Sequence, residues 1–225
     1  GLSQNRSIEK LALNECEFFD MGWARGGVFN FIERNHNLRH INLEGSCLGS
    51  MGIQLLSYAF ERRAEKSVEE LCLGVPIMDD GEARRGGDES TTAALINSLR
   101  GYHQLRDLDL KGNHVGRDGC TIMTSLLQSQ HCNLQTLCLG DSGIDDGAMD
   151  QLTTALIHQN CVLNSLGLER NPLITARGWR GISSALRHKN CILGVIYLDC
   201  NSIDDDAVIH LAKSVAISED LMFLG

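Results

Sequence analysis

The sequence predicts an α/β repeat solenoid: a right-handed horseshoe with a parallel β-sheet on its concave face and helices on its convex face. Two observations predict it. The string apolar-x-x-apolar-x-apolar recurs eight times in 225 residues, at intervals of 30, 30, 37, 29, 29, 30 and 28 residues. Between these strings the apolar residues recur at helical spacing. Repetition on this scale marks an array of like units, each burying its apolar side only against its neighbours.

The strand text runs through Ile8-Leu11-Leu13, Leu38-Ile41-Leu43, Val68-Leu71-Leu73 and Leu105-Leu108-Leu110. It continues through Leu134-Leu137-Leu139, Leu163-Leu166-Leu168, Leu193-Ile196-Leu198 and finally Leu221 and Leu224. Alternation along a strand sends Leu137 and Leu139 inward and Thr136 and Cys138 outward. The helical text follows. Ala148, Leu152, Ala155 and Leu156 share one face, as do Ile182, Ala185 and Leu186, and Val208, Leu211, Ala212 and Val215. The turn between the two halves also repeats, with Asn113, Asn171 and Asn201 at one position and Cys16, Ser46, Pro76 and Ser142 there in the other units. A small polar side chain at that position can bond backbone that the stack buries. Asp79-Asp80, Asp145-Asp146 and Asp204-Asp205-Asp206 come next, where carboxylates cap a helix and oppose its dipole.

The pattern Leu134-x-x-Leu137-x-Leu139, Ile144-Asp145-Asp146-Gly147-Ala148, Leu152, Ala155-Leu156, Asn160-x-x-Leu163 resembles the ribonuclease-inhibitor-like subfamily of leucine-rich repeats. That type occurs in ribonuclease inhibitor, NOD-like receptor sensor domains and the Ran GTPase-activating protein. The resemblance covers essentially the whole chain and implies about seven repeats of 28–30 residues. It implies a binding module more than any particular chemistry.

Residues 1–225 read as a single repeat domain, with text that starts and stops abruptly, as in a fragment of a longer array. The 37-residue interval holds an insertion near 82–89, where Gly86-Gly87 and mixed charges read as a solvated loop. Arg84 and Arg85 are its candidate contact residues. The formal charge of -9 argues against general affinity for nucleic acid, which needs clustered cations. No apolar run reaches the length of a membrane span. Nine cysteines, an odd number without the spacing of a disulfide framework, fit a reducing, intracellular compartment, cytoplasmic or nuclear.

No GxSxG, Walker loop or HExxH motif is present, so no enzymatic activity and no cofactor are expected. His103, Cys132, Cys161 and Cys191 share one repeat position and are ligand types that suit zinc. Equivalent positions of stacked units lie in a row about 5 Å apart and do not converge on a point, so these read as structural thiols. Cys72 and Cys138 point outward and read as candidate exposed thiols. The Asp204–Asp206 run lacks the spacing of a calcium loop. Trp23 and Trp179 fall in helix text, Trp179 at an edge with room for partial exposure.

What remains is the concave sheet face. Its outward positions carry Glu44, Glu70, Asp107, Asp109, Glu169 and Asp199 against Lys10 and Lys111. Tyr197, with Val195 and Phe223, forms an apolar patch of the kind that anchors interfaces. The sequence therefore predicts a non-enzymatic module that binds a protein, basic or mixed in charge, through this face and the adjoining loops. Likeness to the Ran activator implies a second reading, regulation of a small GTPase through Arg117, Arg170 and Arg177 near strand-to-helix turns. A third is a structural subunit docked in a larger assembly.

Overall fold

The computed structural model describes residues 7–16, 27–75, 86–215 and 223–224. Among them, eight short strands form one parallel sheet in sequence order: β1 (Lys10–Ala12), β2 (His40–Asn42), β3 (Glu70–Cys72), β4 (Asp107–Asp109), β5 (Thr136–Cys138), β6 (Ser165–Gly167), β7 (Val195–Tyr197) and β8 (Phe223–Leu224). Seven helices alternate with them: α1 (Val28–Arg34), α2 (Gly49–Arg62), α3 (Glu89–Ser98), α4 (Gly116–Leu127), α5 (Asp146–Leu156), α6 (Ala176–Leu186) and α7 (Asp205–Val215). Among the described residues the strands pair in sequence order and the main helix packing is between neighbouring helices. This is the predicted leucine-rich-repeat solenoid.

Register follows the repeat residue for residue. Leu11, Ile41, Leu71, Leu108, Leu137, Leu166, Ile196 and Leu224 lie side by side across the sheet. The long interval leaves this row intact, because Leu71 still pairs with Leu108; the extra residues all fall between β3 and α3. The inward leucines of β2 to β7 merge with the helices into one core, in which Leu137, Leu139, Leu152 and Ile182 are essentially inaccessible to solvent.

The asparagine position holds the turns together. Asn171 Nδ2 donates to the carbonyls of Leu139, Leu168 and Glu169, and its Oδ1 accepts from the amides of Ser142 and Ile144. Asn113 and Asn201 act the same way, and Ser142 Oγ donates to Leu110 and Gly140 carbonyls. Each side chain bonds its own turn and the turn before it. Asp145 and Asp204 cap α5 and α7, accepting from the amides of Ala148 and Ala207.

Three expectations are corrected. Gly86 and Gly87 are buried, not solvated. The Gly87 amide donates to Asn113 Oδ1, and a Cβ on Gly86 would lie 2.1 Å from that same oxygen, so the end of the insertion packs against the turn of the next unit. Trp179 is wholly buried at 0% exposure, with α7 stacked on α6. The buried face of α7 is Ala207, Leu211 and Ser214, while Val208 is 51% exposed and Ala212 is exposed. Val208 stands four residues past its helix cap, as Met149 and Trp179 do. Met149 lies against α6, and Trp179 is buried in a helix on which α7 packs, but among the described residues no helix stacks on the far side of α7.

Candidate binding surface on the concave face

The outward residues of the strands form three rows across the sheet. The middle row runs Asn42, Cys72, Asp109, Cys138, Gly167 and Tyr197, and the row before it His40, Glu70, Asp107, Thr136, Ser165 and Val195. Neighbours within a row are separated by one strand spacing, about 4.8 Å. Six of the predicted site residues, Glu44, Glu70, Asp107, Asp109, Glu169 and Asp199, thus share one surface with Lys111.

Three glycines shape this surface. A Cβ on Gly74 would lie 3.0 Å from an Asp109 carboxylate oxygen. Cβ atoms on Gly140 and Gly167 would lie 3.2 Å and 2.7 Å from Glu169 Oε2. Asp109 and Glu169 therefore lie down on the bare backbone of adjacent strands instead of standing into solvent. Glu169 Oε2 is buried there with no hydrogen-bond partner. Asp109 accepts from the Lys111 amide at 2.8 Å. Burial, with the charges of Glu44 and Glu169, holds the Asp109 carboxyl above the usual carboxylate range, against the opposing pull of the Lys111 amide and ammonium. A like-charge neighbourhood disfavours ionisation in this way.

The same field acts on the thiols. Cys72 and Cys138 are half-buried and not freely exposed, and the pKa of each is pushed up to about 12, by burial first and then by surrounding carboxylates. At neutral pH they are thiols, which are poor nucleophiles. Toward β2, Glu70 is already engaged: His40 Nδ1 is 3.0 Å from its Oε2, and Cys72 Sγ donates to its Oε1 at 3.6 Å. At the other end Tyr197 is 38% exposed beside the half-buried Val195, and Asp199 is exposed. Arg84 and Arg85 lie outside the described residues, as does the side chain of Phe223. Sequence reasoning assigned the strand positions correctly but did not foresee Gly74, Gly140 and Gly167 as seats for these carboxylates. Glycine two residues from an acidic outward position on the same or a neighbouring strand was the signal that the carboxylate could settle there.

The arginines of the GTPase reading lie elsewhere. Arg117 forks onto Asp145, with Nε 2.8 Å and Nη2 2.7 Å from Oδ2, and the bond holds the Asp145 carboxyl low. Arg177 pairs with Asp150. Arg170 sits at a turn with a positive φ of 55°, its amide bonded to the Asp199 carbonyl. Cys161 and Cys191 are buried, Cys132 is half-buried, and His103 is exposed. No group of three or more potential ligands capable of holding a metal occurs among the described residues. No helix among them is long and apolar enough to cross a membrane.

No family model matches the chain. Similar sequences do. NACHT, LRR and PYD domains-containing protein 14 of Mus musculus is 30% identical, over 73% of this chain and 18% of that protein. Ribonuclease inhibitor of Sus scrofa is 30% identical, over 54% of this chain and 24% of the inhibitor. The chain thus spans less than a quarter of the length of either relative. A solved structure, the TLR13–ssRNA13 complex, overlays 86% of this chain and 23% of its own, at 18% identity and a TM-score of 0.47. The repeat unit, the in-register sheet with its helix row, and the likeness to ribonuclease inhibitor make the chain a leucine-rich-repeat protein of the ribonuclease-inhibitor-like type.

Proposed function

We propose that the chain is a non-enzymatic recognition module whose concave face binds a protein presenting lysine or arginine side chains. One observation carries this reading. The acidic residues on the face outnumber its lysines, and Asp109 is held above its ordinary pKa by burial first and then by the charges of Glu44 and Glu169. A cation brought by a partner relieves that repulsion and offers Glu169 Oε2 a donor it lacks. Tyr197 supplies an apolar anchor beside the acidic field. Complementary charge raises association rate and selectivity, and the stiff sheet presents its groups without an ordering cost. The nine free thiols fit a reducing intracellular setting.

The test is affinity capture from cells with the 225-residue chain and with a variant carrying Asp109→Ala and Tyr197→Ala together, read by mass spectrometry. The reading expects basic proteins in the wild-type set that the double variant loses. A retained set indifferent to both substitutions refutes the concave assignment.

A further inference from the structure

The edge of the solenoid where helices end and strands begin carries a second set of joints. Tyr102 Oη donates to the Phe60 carbonyl at 2.9 Å. Asn160 Nδ2 donates to Gln128 at 2.9 Å, and Asn190 Nδ2 to Ile157 at 3.0 Å. These residues occupy one repeat position, immediately before His103, Cys161 and Cys191. Each reaches back to the end of the helix in the preceding unit. Asn35 and Glu65 hold the position in the two earlier units, and His131 holds it in the unit between Tyr102 and Asn160. Its ring turns to Gln130, 3.1 Å away, and to the ring of His103, at 5.0 Å between centroids. The two loops stay joined through Asn133 Nδ2 to the His103 carbonyl at 2.6 Å, and above that bond a cavity of about 160 Å³ opens.

The floor of the cavity is apolar: Leu99, Leu105, Leu126 and Leu134. A void of about 150 Å³ takes a benzene-sized group, so this one admits a single large apolar side chain. Its rim carries Arg100, His103 and His131, and no acidic residue lines it, in a chain of net charge -9. Cations at helix C-termini commonly serve the helix dipole. Here the nearby carbonyls are already taken: Leu99 accepts from the Tyr102 amide, and Gln128 from Asn160. Gly101 stands at the mouth with a φ of 90°, and the space where a Cβ would lie is open.

We propose that this cavity is a second binding site, opposite in polarity to the concave face, which seats a leucine-sized side chain of a peptide flanked by aspartate or glutamate. The apolar group fills the floor, and the flanking carboxylates meet Arg100 and the imidazole donors at the rim. The site exists because His131 replaces the asparagine that closes the corresponding gap in later units.

The test is a methyl NMR titration of the 225-residue chain with the capped peptide Asp-Glu-Leu-Glu-Asp. Two control peptides replace its leucine with alanine or its acids with lysines. The leucine-acid peptide is expected to shift the methyls of Leu126, Leu105 and Leu134 saturably. Both controls should bind there at least about tenfold more weakly, the value of one buried side chain. His131→Asn restores the joint and should weaken binding by a similar factor without lowering the melting temperature; Arg100→Glu should weaken it with the cavity intact. Absence of shifts at those methyls, or equal shifts from the lysine peptide, overturns the proposal, as does undiminished binding to both variants.

Discussion

The two edges of this solenoid join its units by different means. At the strand-to-helix edge turns are joined, each to the previous one, by a repeated small polar residue, Ser46, Asn113, Ser142, Asn171 or Asn201. At the helix-to-strand edge around β2 and β3 much of the joining falls to one side chain. Arg63 follows α2 and is 1% exposed. Its Nη1 donates to the Ile32 carbonyl at 2.6 Å, Nη2 to Leu38 at 3.0 Å and to Ser67 Oγ at 2.9 Å, and Nε to Glu65 at 2.8 Å. Tyr102 packs edge-on against Phe60 nearby, with Lys66 over its ring. An asparagine joint works at any repeat because it spans one fixed spacing and offers both donor and acceptor. Arg63 fits one irregular connection and gathers several carbonyls at once. Regular joints spread the stabilisation over the array, whereas the arginine concentrates it.

That contrast sets the largest expected effect. Burial lowers the pKa of Arg63, yet it stays charged, held by carbonyl dipoles with no carboxylate among its hydrogen-bond partners. Arg63→Met keeps much of the bulk but orphans the Ile32, Leu38 and Glu65 carbonyls, and should cost about 3–5 kcal/mol in urea unfolding. A loss below about 1 kcal/mol would mean that water replaces the guanidinium and that nothing is concentrated there. Asn171→Ala comes next, at about 2–3 kcal/mol, since it orphans buried groups on two turns. Ser142→Ala removes a hydroxyl with only two bonds and should cost less. The reverse order would break the idea that the joints scale with the groups they satisfy.

The same contrast explains what could be read from sequence. The strand row, the asparagine position and the Asp145 cap were legible because each recurs at a fixed offset. Arg63 occurs once, so no periodicity announces it, and its four hydrogen bonds follow from a loop path that only the fold defines. The burial of Trp179 and the exposure of Val208 were equally hidden. Both residues stand at the same offset from their helix caps, and what differs is whether another helix stacks on top among the described residues. On the concave face the charge bias was visible in the outward positions. The settling of Asp109 and Glu169 onto Gly74, Gly140 and Gly167 was not, because it depends on side chains reaching across strands.

The smallest effect concerns carboxylates that join units and one that does not. Asp145 is bonded to Arg117, and Asp146 accepts from Thr175 and Gly178 of the next unit; both are held below the ordinary carboxylate pKa. Their stabilisation is present above the unfolded pKa and is lost as pH falls through the depressed folded value. The Asp109 carboxylate, with no hydrogen bond to another unit among the described residues, has its pKa raised, chiefly by burial. For a raised carboxylate the folded state binds more protons, so stability is greatest below the unfolded pKa and declines as pH rises through the folded value. Asp109→Asn should therefore raise the melting temperature at neutral pH by roughly 2–4 °C, corresponding to about 1 kcal/mol in a chain of this size. The gain should fade as the pH approaches 4. Asp145→Asn keeps a good cap and loses only an exposed attraction to Arg117, so its change should be smaller and opposite in sign. A pH-independent difference for Asp109→Asn, or a loss of stability at neutral pH, would show that the carboxylate helps hold the sheet. In that case the acidic face would serve the fold and not a partner.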